Sequence, residues 1–147
     1  FLLNRSSDLA IYKVGNDIVV NARCDSGEHR RIFVRHNGEW YPYYDDVECK
    51  GYACYECWIK NGSIVYRSMT PNVGREGLIL CGSCFNGGGT TPILTVDASY
   101  GGYSSMAVKD NTKIYLVYEG YFDGTYRTLK LVEIQATPKN NNPSILW

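Results

Sequence analysis

Apolar and polar residues alternate along this chain in short runs, and the runs break at glycine, asparagine or aspartate. Leu9 to Val14 leads through Gly15-Asn16-Asp17 into Ile18-Val19-Val20, and Arg31-Ile32-Phe33-Val34-Arg35 leads through His36-Asn37-Gly38 into Glu39-Trp40-Tyr41. Farther on, Met106-Ala107-Val108 turns through Lys109-Asp110-Asn111-Thr112 into Lys113 to Tyr118, and Tyr121-Phe122 turns at Asp123-Gly124 into Tyr126 to Ile134. A period of two bounded by turn residues predicts β-hairpins, because successive strand side chains point to opposite faces. No long segment carries the 3.6-residue period of an amphipathic helix. Within Thr128 to Ile134 the alternation predicts Leu129, Leu131 and Val132 against a core, Lys130 and Glu133 outward, and an irregularity at Leu131-Val132.

These hairpins, with one more between the cysteines described below, amount to about ten strands and predict a mainly β fold, an antiparallel barrel or sandwich of hairpins. Thirteen tyrosines fit it, since the ring packs on a pleated face while the hydroxyl reaches water. Residues 1–136 read as one β-rich domain, and residues 137–147, opening Thr137-Pro138-Lys139-Asn140, as an exposed tail or linker. Hydrophobic content of 44% against 20% charged over 147 residues argues for a packed core and against disorder. No run reaches the length needed to span a bilayer, and Phe1-Leu2-Leu3 is too short for a signal peptide. The chain opens at Phe1 and not at methionine, so a processed product or a piece of a longer protein is expected.

The cysteines add chemistry to this frame. Cys54-Tyr55-Glu56-Cys57 and Cys81-Gly82-Ser83-Cys84 are two CxxC pairs, and the chain between them reads as a hairpin turning at Asn61-Gly62 followed by a third apolar run, Leu78-Ile79-Leu80. Four thiols grouped two and two are the pattern of a tetrahedral zinc site, in which each pair closes a chelate turn. The stretch resembles zinc-ribbon modules and, more loosely, treble-clef fingers; Phe85-Asn86-Gly87-Gly88-Gly89-Thr90 is too glycine-rich to begin the helix of a treble clef, which favours the ribbon. The resemblance implies a zinc-ribbon-like insertion over residues 49–86, with Cys54, Cys57, Cys81 and Cys84 as ligands of one structural Zn2+. Cys49 is an alternative to Cys54, and Cys24 is a small apolar residue or a free thiol. A second reading pairs the six cysteines as disulfides in a secreted domain. The zinc reading favours a reducing, intracellular setting.

Function is written more faintly. Fifteen basic and fifteen acidic residues leave no global field to attract a polyanion. Locally, Arg23, His29, Arg30, Arg31, Arg35 and His36 crowd one segment, with Trp40, Tyr41, Tyr43 and Tyr44 directly after them, a mixture that suits single-stranded RNA or DNA. Asp45, Asp46 and Glu48 follow and offset that charge. The expectation favoured on balance is a non-catalytic interaction module that binds a protein partner through an aromatic, hairpin-rich surface. Trp58 and Tyr66 form its exposed tip beside the loop from Ser68 to Glu76, and Arg30, Arg31, Arg35, Trp40 and Tyr41 form a second contact surface. Nucleic-acid binding is the alternative. A thiol hydrolase built on Cys24, Asp25 and His29 has the least support, because one short turn rarely holds a rigid catalytic array.

Overall fold

The structure is a computed structural model that describes residues 9–23, 30–42, 44–46, 56–62, 64–84, 91–136 and 144–146. These residues form three antiparallel sheets, none closed into a barrel. The first sheet contains β1 (Leu9–Val14), β2 (Asp17–Arg23) and β3 (Arg30–His36); β4 (Glu39–Trp40) and β5 (Tyr44–Asp46) both pair with the far edge of β3 and together act as one interrupted fourth strand. The middle sheet runs in order through β6 (Cys57–Asn61), β7 (Ile64–Met69), β8 (Glu76–Cys84) and β9 (Thr91–Tyr100), with a single 3-10 turn (Val73–Arg75) before β8. The third sheet contains β10 (Ser104–Asp110), β11 (Lys113–Phe122), β12 (Tyr126–Gln135) and β13 (Ser144–Leu146). Each predicted turn lies where the sequence puts it: Gly15-Asn16 joins β1 to β2, Asn37-Gly38 joins β3 to β4, and Asp123-Gly124 joins β11 to β12. Asn37, Gly38, Asp123 and Gly124 all take the positive φ that these tight connections require.

The sheets stack face to face, with the middle sheet covered on both sides. One of its faces presents Tyr66, Leu78 and Leu80 to Ile114, Leu116, Tyr118, Val132 and Ile134 of the third sheet. The other presents Trp58 and Val65 to Val19 and Ile32 of the first. Leu78, Leu80, Ile114, Leu116 and Ile134 are wholly removed from solvent, and burial of each is worth about 1.5–3 kcal/mol. β6 lies against β1 on one side and β10 on the other. The three run in the same direction: Glu56 and Cys57 at the start of β6 touch Tyr12 and Met106, while Lys60 near its end reaches Gly15 beyond the end of β1.

Three expectations are corrected. Of the barrel or sandwich expected, the barrel gives way: three antiparallel sheets stack face to face and none closes on itself. The stretch expected to form a zinc-ribbon insertion instead supplies β6, β7 and β8, three of the four strands of the central layer. The face of β12 differs from that expected at two positions: Val132, expected inside, is buried beside Ile134, whereas Leu129 and Leu131, also expected inside, are 72% and 66% exposed. Alternation alone leaves a two-fold ambiguity of face, and register against β11 resolves it, with Val132 opposite Leu116 and Ile134 opposite Ile114. The pairing is unbroken from Lys113↔Gln135 to Phe122↔Tyr126, so no irregularity interrupts β12.

Candidate ligand site

The starts of β1, β6 and β10 lie at one end of the stack, and a cluster of arginine, tyrosine and glutamate side chains gathers there. Arg75 is its centre. Arg75 closes the 3-10 turn with φ 67°, next to Gly74 at φ 75°. A left-handed conformation at a side chain as large as arginine is disfavoured and persists only where the surroundings hold it. Here Gly101 N–H donates to the Arg75 carbonyl at 2.9 Å, fixing the turn to the segment that leads into β10. The side chain then reaches Tyr100, donating from Nη1 to the Tyr100 hydroxyl at 3.4 Å, and lies 3.8 Å from Glu119 Oε2. Its guanidinium sits 5.0 Å from the centroid of the Tyr103 ring.

The neighbours are positioned by β10 and β11. Glu119 and Tyr103 face each other across the sheet, with Glu119 N–H donating to the Tyr103 carbonyl at 3.0 Å and Gly102 N–H donating to the Glu119 carbonyl at 2.9 Å. A side chain at position 102 would collide with the Glu119 carboxylate, so glycine is required there. Behind the site, Tyr100 packs on Tyr121 with ring centroids 4.6 Å apart, and the Arg127 guanidinium lies 5.2 Å from the Tyr100 ring. Tyr100 is buried while Tyr103 is 40% exposed, so one ring anchors the cluster and the other opens to solvent.

A second polar cluster joins the first and middle sheets. Glu56, wholly buried, accepts hydrogen bonds on Oε2 from Asn21 Nδ2 at 2.9 Å, Arg67 Nη2 at 2.9 Å and Trp58 Nε1 at 3.2 Å. Its Oε1 lies 3.6 Å from Arg30 Nε, which itself donates to Asn21 Oδ1 at 2.9 Å. Arg67 stacks 4.3 Å over Trp58, Tyr12 stacks on the same indole, and the Tyr12 hydroxyl donates to the Glu56 carbonyl. Burial pushes the Glu56 carboxyl pKa up, but the charges of Arg67 and Arg30 and the donated hydrogen bonds outweigh it and hold the pKa below the ordinary value. Two cations and one anion enclosed between layers form a structural lock. At the flank of the stack, Asp97 accepts from Lys130 Nζ at 2.8 Å and Tyr118 OH at 2.9 Å, beside an open cleft of ≈ 460 Å³.

The residues singled out from sequence are dispersed by the fold. Trp58 and Tyr66, expected at an exposed tip, are 8% and 1% exposed and belong to the two core clusters. Arg30, expected on a contact surface, is buried in the lock. Arg31 and Arg35 alternate with it and lie on the outward face of β3, where Arg35 is paired with the exposed Trp40; Tyr41 is exposed near the His36 ring. Cys54, Cys49 and Cys24 lie outside the described residues, as does the Cys24-Asp25-His29 group. Cys57 and Cys81 are buried free thiols on opposite faces of the middle sheet, because Cys57 stands in register with Ser68 and Leu80 while Cys81 stands with Arg67. The Cys57 Sγ accepts from Met106 N–H at 3.1 Å, and burial pushes its thiol pKa up despite that bond and one from Ser105. Cys81 bonds to Met69 Sδ at 3.5 Å. The Cys81-Gly82-Ser83-Cys84 segment is continuous strand paired with β7 and not a chelate turn. Among the described residues no group of three or more histidine, cysteine, aspartate or glutamate side chains is placed to hold a metal ion.

Sequence reasoning did not single out Arg75, Tyr100, Tyr103 or Glu119. The available signals were an arginine between Gly74 and Gly77, and the Gly101-Gly102-Tyr103 step, which reads as an ordinary turn. No protein-family model matches the chain, and no curated protein gives a significant match. No helix among the described residues is long and apolar enough to cross a membrane.

Proposed function

We propose that this chain is a binding module for a small carboxylate-bearing ligand, taken up at Arg75 with Tyr103 and Glu119. The observation that carries the reading is the strained Arg75 backbone, which delivers a guanidinium onto a platform of two tyrosines and one glutamate. Left-handed backbone at a non-glycine residue clusters at functional sites, where surrounding contacts over-determine it. A guanidinium presents a planar fork of N–H donors that matches a carboxylate two for two, and a lysine there would lose that fit. Glu119, 3.8 Å away, keeps the cation oriented, and Arg127 behind Tyr100 adds positive potential. The exposed Tyr103 ring offers a flat apolar face beside the cation, which suits a carboxylate carried on a saturated ring such as an acidic sugar.

Isothermal titration with acidic monosaccharides and their neutral counterparts tests this. Acidic sugars are expected to bind, neutral ones not, and Arg75→Lys is expected to weaken binding at least tenfold, about 1.4 kcal/mol. Equal binding of neutral and acidic sugars, or an Arg75→Lys variant that binds like the parent, sinks the reading.

A further inference from the structure

We propose that a compact monovalent anion of the halide class binds between the first and middle sheets, at the terminal nitrogens of Arg30. Arg30 opens β3 and alternates along it with Ile32, which packs with Val19, Trp58 and Val65 in the core between those sheets. Like Ile32, it is wholly removed from solvent. The Nε edge of its guanidinium is taken up by Asn21 Oδ1 at 2.9 Å and Glu56 Oε1 at 3.6 Å. At the other end Nη1 and Nη2 stand side by side, both buried, and meet no hydrogen-bond acceptor among the described residues. Buried polar groups in folded proteins are almost always satisfied, and two adjacent orphan donors on one side chain call for an acceptor. A buried lysine can escape its cost by losing a proton. Arginine cannot, so the charge stays and has to be answered.

The charge balance identifies what answers it. Glu56 is the acid of the lock and is shared, with a contact to Arg67 of 2.9 Å against 3.6 Å to Arg30. Across β3, Arg30 stands in register with Arg23 of β2 on one side and with Asp46 of β5 on the other. Like charges directly opposite each other in a sheet repel. Arg23, Arg30 and Arg67 thus meet two acids, Glu56 and Asp46, and one positive charge is left over. A water molecule would satisfy the N–H groups and leave that charge uncompensated; a monovalent anion answers both. The Nη pair is a two-pronged donor turned away from the Glu56 carboxylate, so the anion takes two charge-assisted hydrogen bonds with the guanidinium between it and the acid. Enclosure between packed sheets favours a compact ion over sulfate or phosphate, whose further charge and oxygens would need more donors than one fork supplies.

Urea denaturation of the full chain at constant pH and ionic strength, with chloride exchanged for methanesulfonate, reads the site through linkage. An ion held only by the folded chain lowers the unfolding constant about tenfold for each tenfold rise in chloride above its dissociation constant. The parent and Arg75→Lys are both expected to show that slope, and Arg30→Gln to lose it. Crystals of the parent grown in bromide make the test independent of whether Arg30→Gln folds: an anomalous-scattering peak is expected within hydrogen-bond reach of Arg30 Nη1 and Nη2. A parent whose stability ignores chloride, a slope retained in Arg30→Gln, or a slope lost in Arg75→Lys overturns the proposal. So does a crystal in which water or a side chain of the protein, and no bromide, meets the Arg30 fork.

Discussion

Replacing Glu56 by glutamine tests whether the buried lock holds the first and middle sheets together. The amide matches the carboxylate in shape and still fits among Asn21, Trp58, Arg67 and Arg30, so packing is nearly conserved and the change is one of charge. It takes away the anion that two buried guanidinium groups share. Removing one partner of a buried ion pair costs about 3–5 kcal/mol, because the remaining charge keeps its desolvation penalty and loses its compensation. Against the 5–15 kcal/mol of total stability usual for a domain, a loss in that range is severe. In urea denaturation at neutral pH, with a slope near 2 kcal/mol per molar, it lowers the midpoint by roughly 2 M.

The same group gives a pH signature with a definite sign. The Glu56 pKa is held below its ordinary value in the folded chain, so the unfolded chain takes up its proton first as pH falls. The stabilisation from Glu56 is therefore complete above the ordinary value of 4.5 and is lost as pH drops from there through the lowered folded value. Glu56→Gln should be less stable at pH 7 and should lack this component of acid destabilisation, so the two stability curves converge towards low pH. A loss below about 1 kcal/mol at pH 7, or a gap between the curves that does not narrow with acid, refutes the reasoning.

Other substitutions read out the remaining parts of the structure. Arg75→Gly relieves a left-handed backbone while adding glycine's entropy cost, so the unfolding free energy should stay within about 1 kcal/mol of the parent while carboxylate binding disappears; calorimetry beside denaturation separates the two effects. In β12, Leu131→Ser should change stability by less than about 0.5 kcal/mol and Val132→Ser by more than about 2 kcal/mol, although the sequence pattern puts both residues against the core. Asp97→Asn removes the anion facing Lys130 and weakens the acceptor for Tyr118, and should abolish a carboxyl titration at about pH 2 seen by NMR, with Lys130 and Ser99 among the groups that hold the pKa there against burial. Cys57→Ser should leave the zinc content of the purified chain unchanged by elemental analysis, since Cys57 and Cys81 lie on opposite faces of one sheet; loss of an equivalent would require these strands to rearrange.

The strands and their turns were legible because they depend on local chemistry. The alternation from Leu9 to Val20 and the Asp123-Gly124 dipeptide each act within a few residues, and the hairpins follow. The face each strand turns inward was not legible, because it depends on partners distant in the chain: Lys130 lies on the inner side of β12 because Asp97, thirty-three residues earlier, receives its ammonium group. The same limit hid the lock, in which Glu56 reads as a spacer between two cysteines until β2 and β3 bring Asn21 and Arg30 to it. The CxxC spacing pointed to a chelate turn because spacing carries no information on backbone conformation. Once Cys81 to Cys84 continue a paired strand, residues three apart lie about 10 Å along it on opposite faces.

A chain with equal numbers of acidic and basic residues can still present a strong local field if the fold separates the signs along the strands. Arg23 ends β2, Arg30 begins β3, Arg67 lies late in β7, Arg75 precedes β8 and Arg127 opens β12, so antiparallel alternation brings all five to the end of the stack where β1, β6 and β10 begin. Glu56 and Glu119 stand among them, and both are engaged with arginines. Asp45, Asp46, Glu76 and Asp123 lie at this end as well, so the signs nearly balance there and the field that a ligand meets at Arg75 is the short-range one of its own guanidinium. Binding at Arg75 should therefore weaken with added salt while global properties such as solubility barely change, and salt-independent affinity for an acidic ligand would argue that the arginines serve the fold alone.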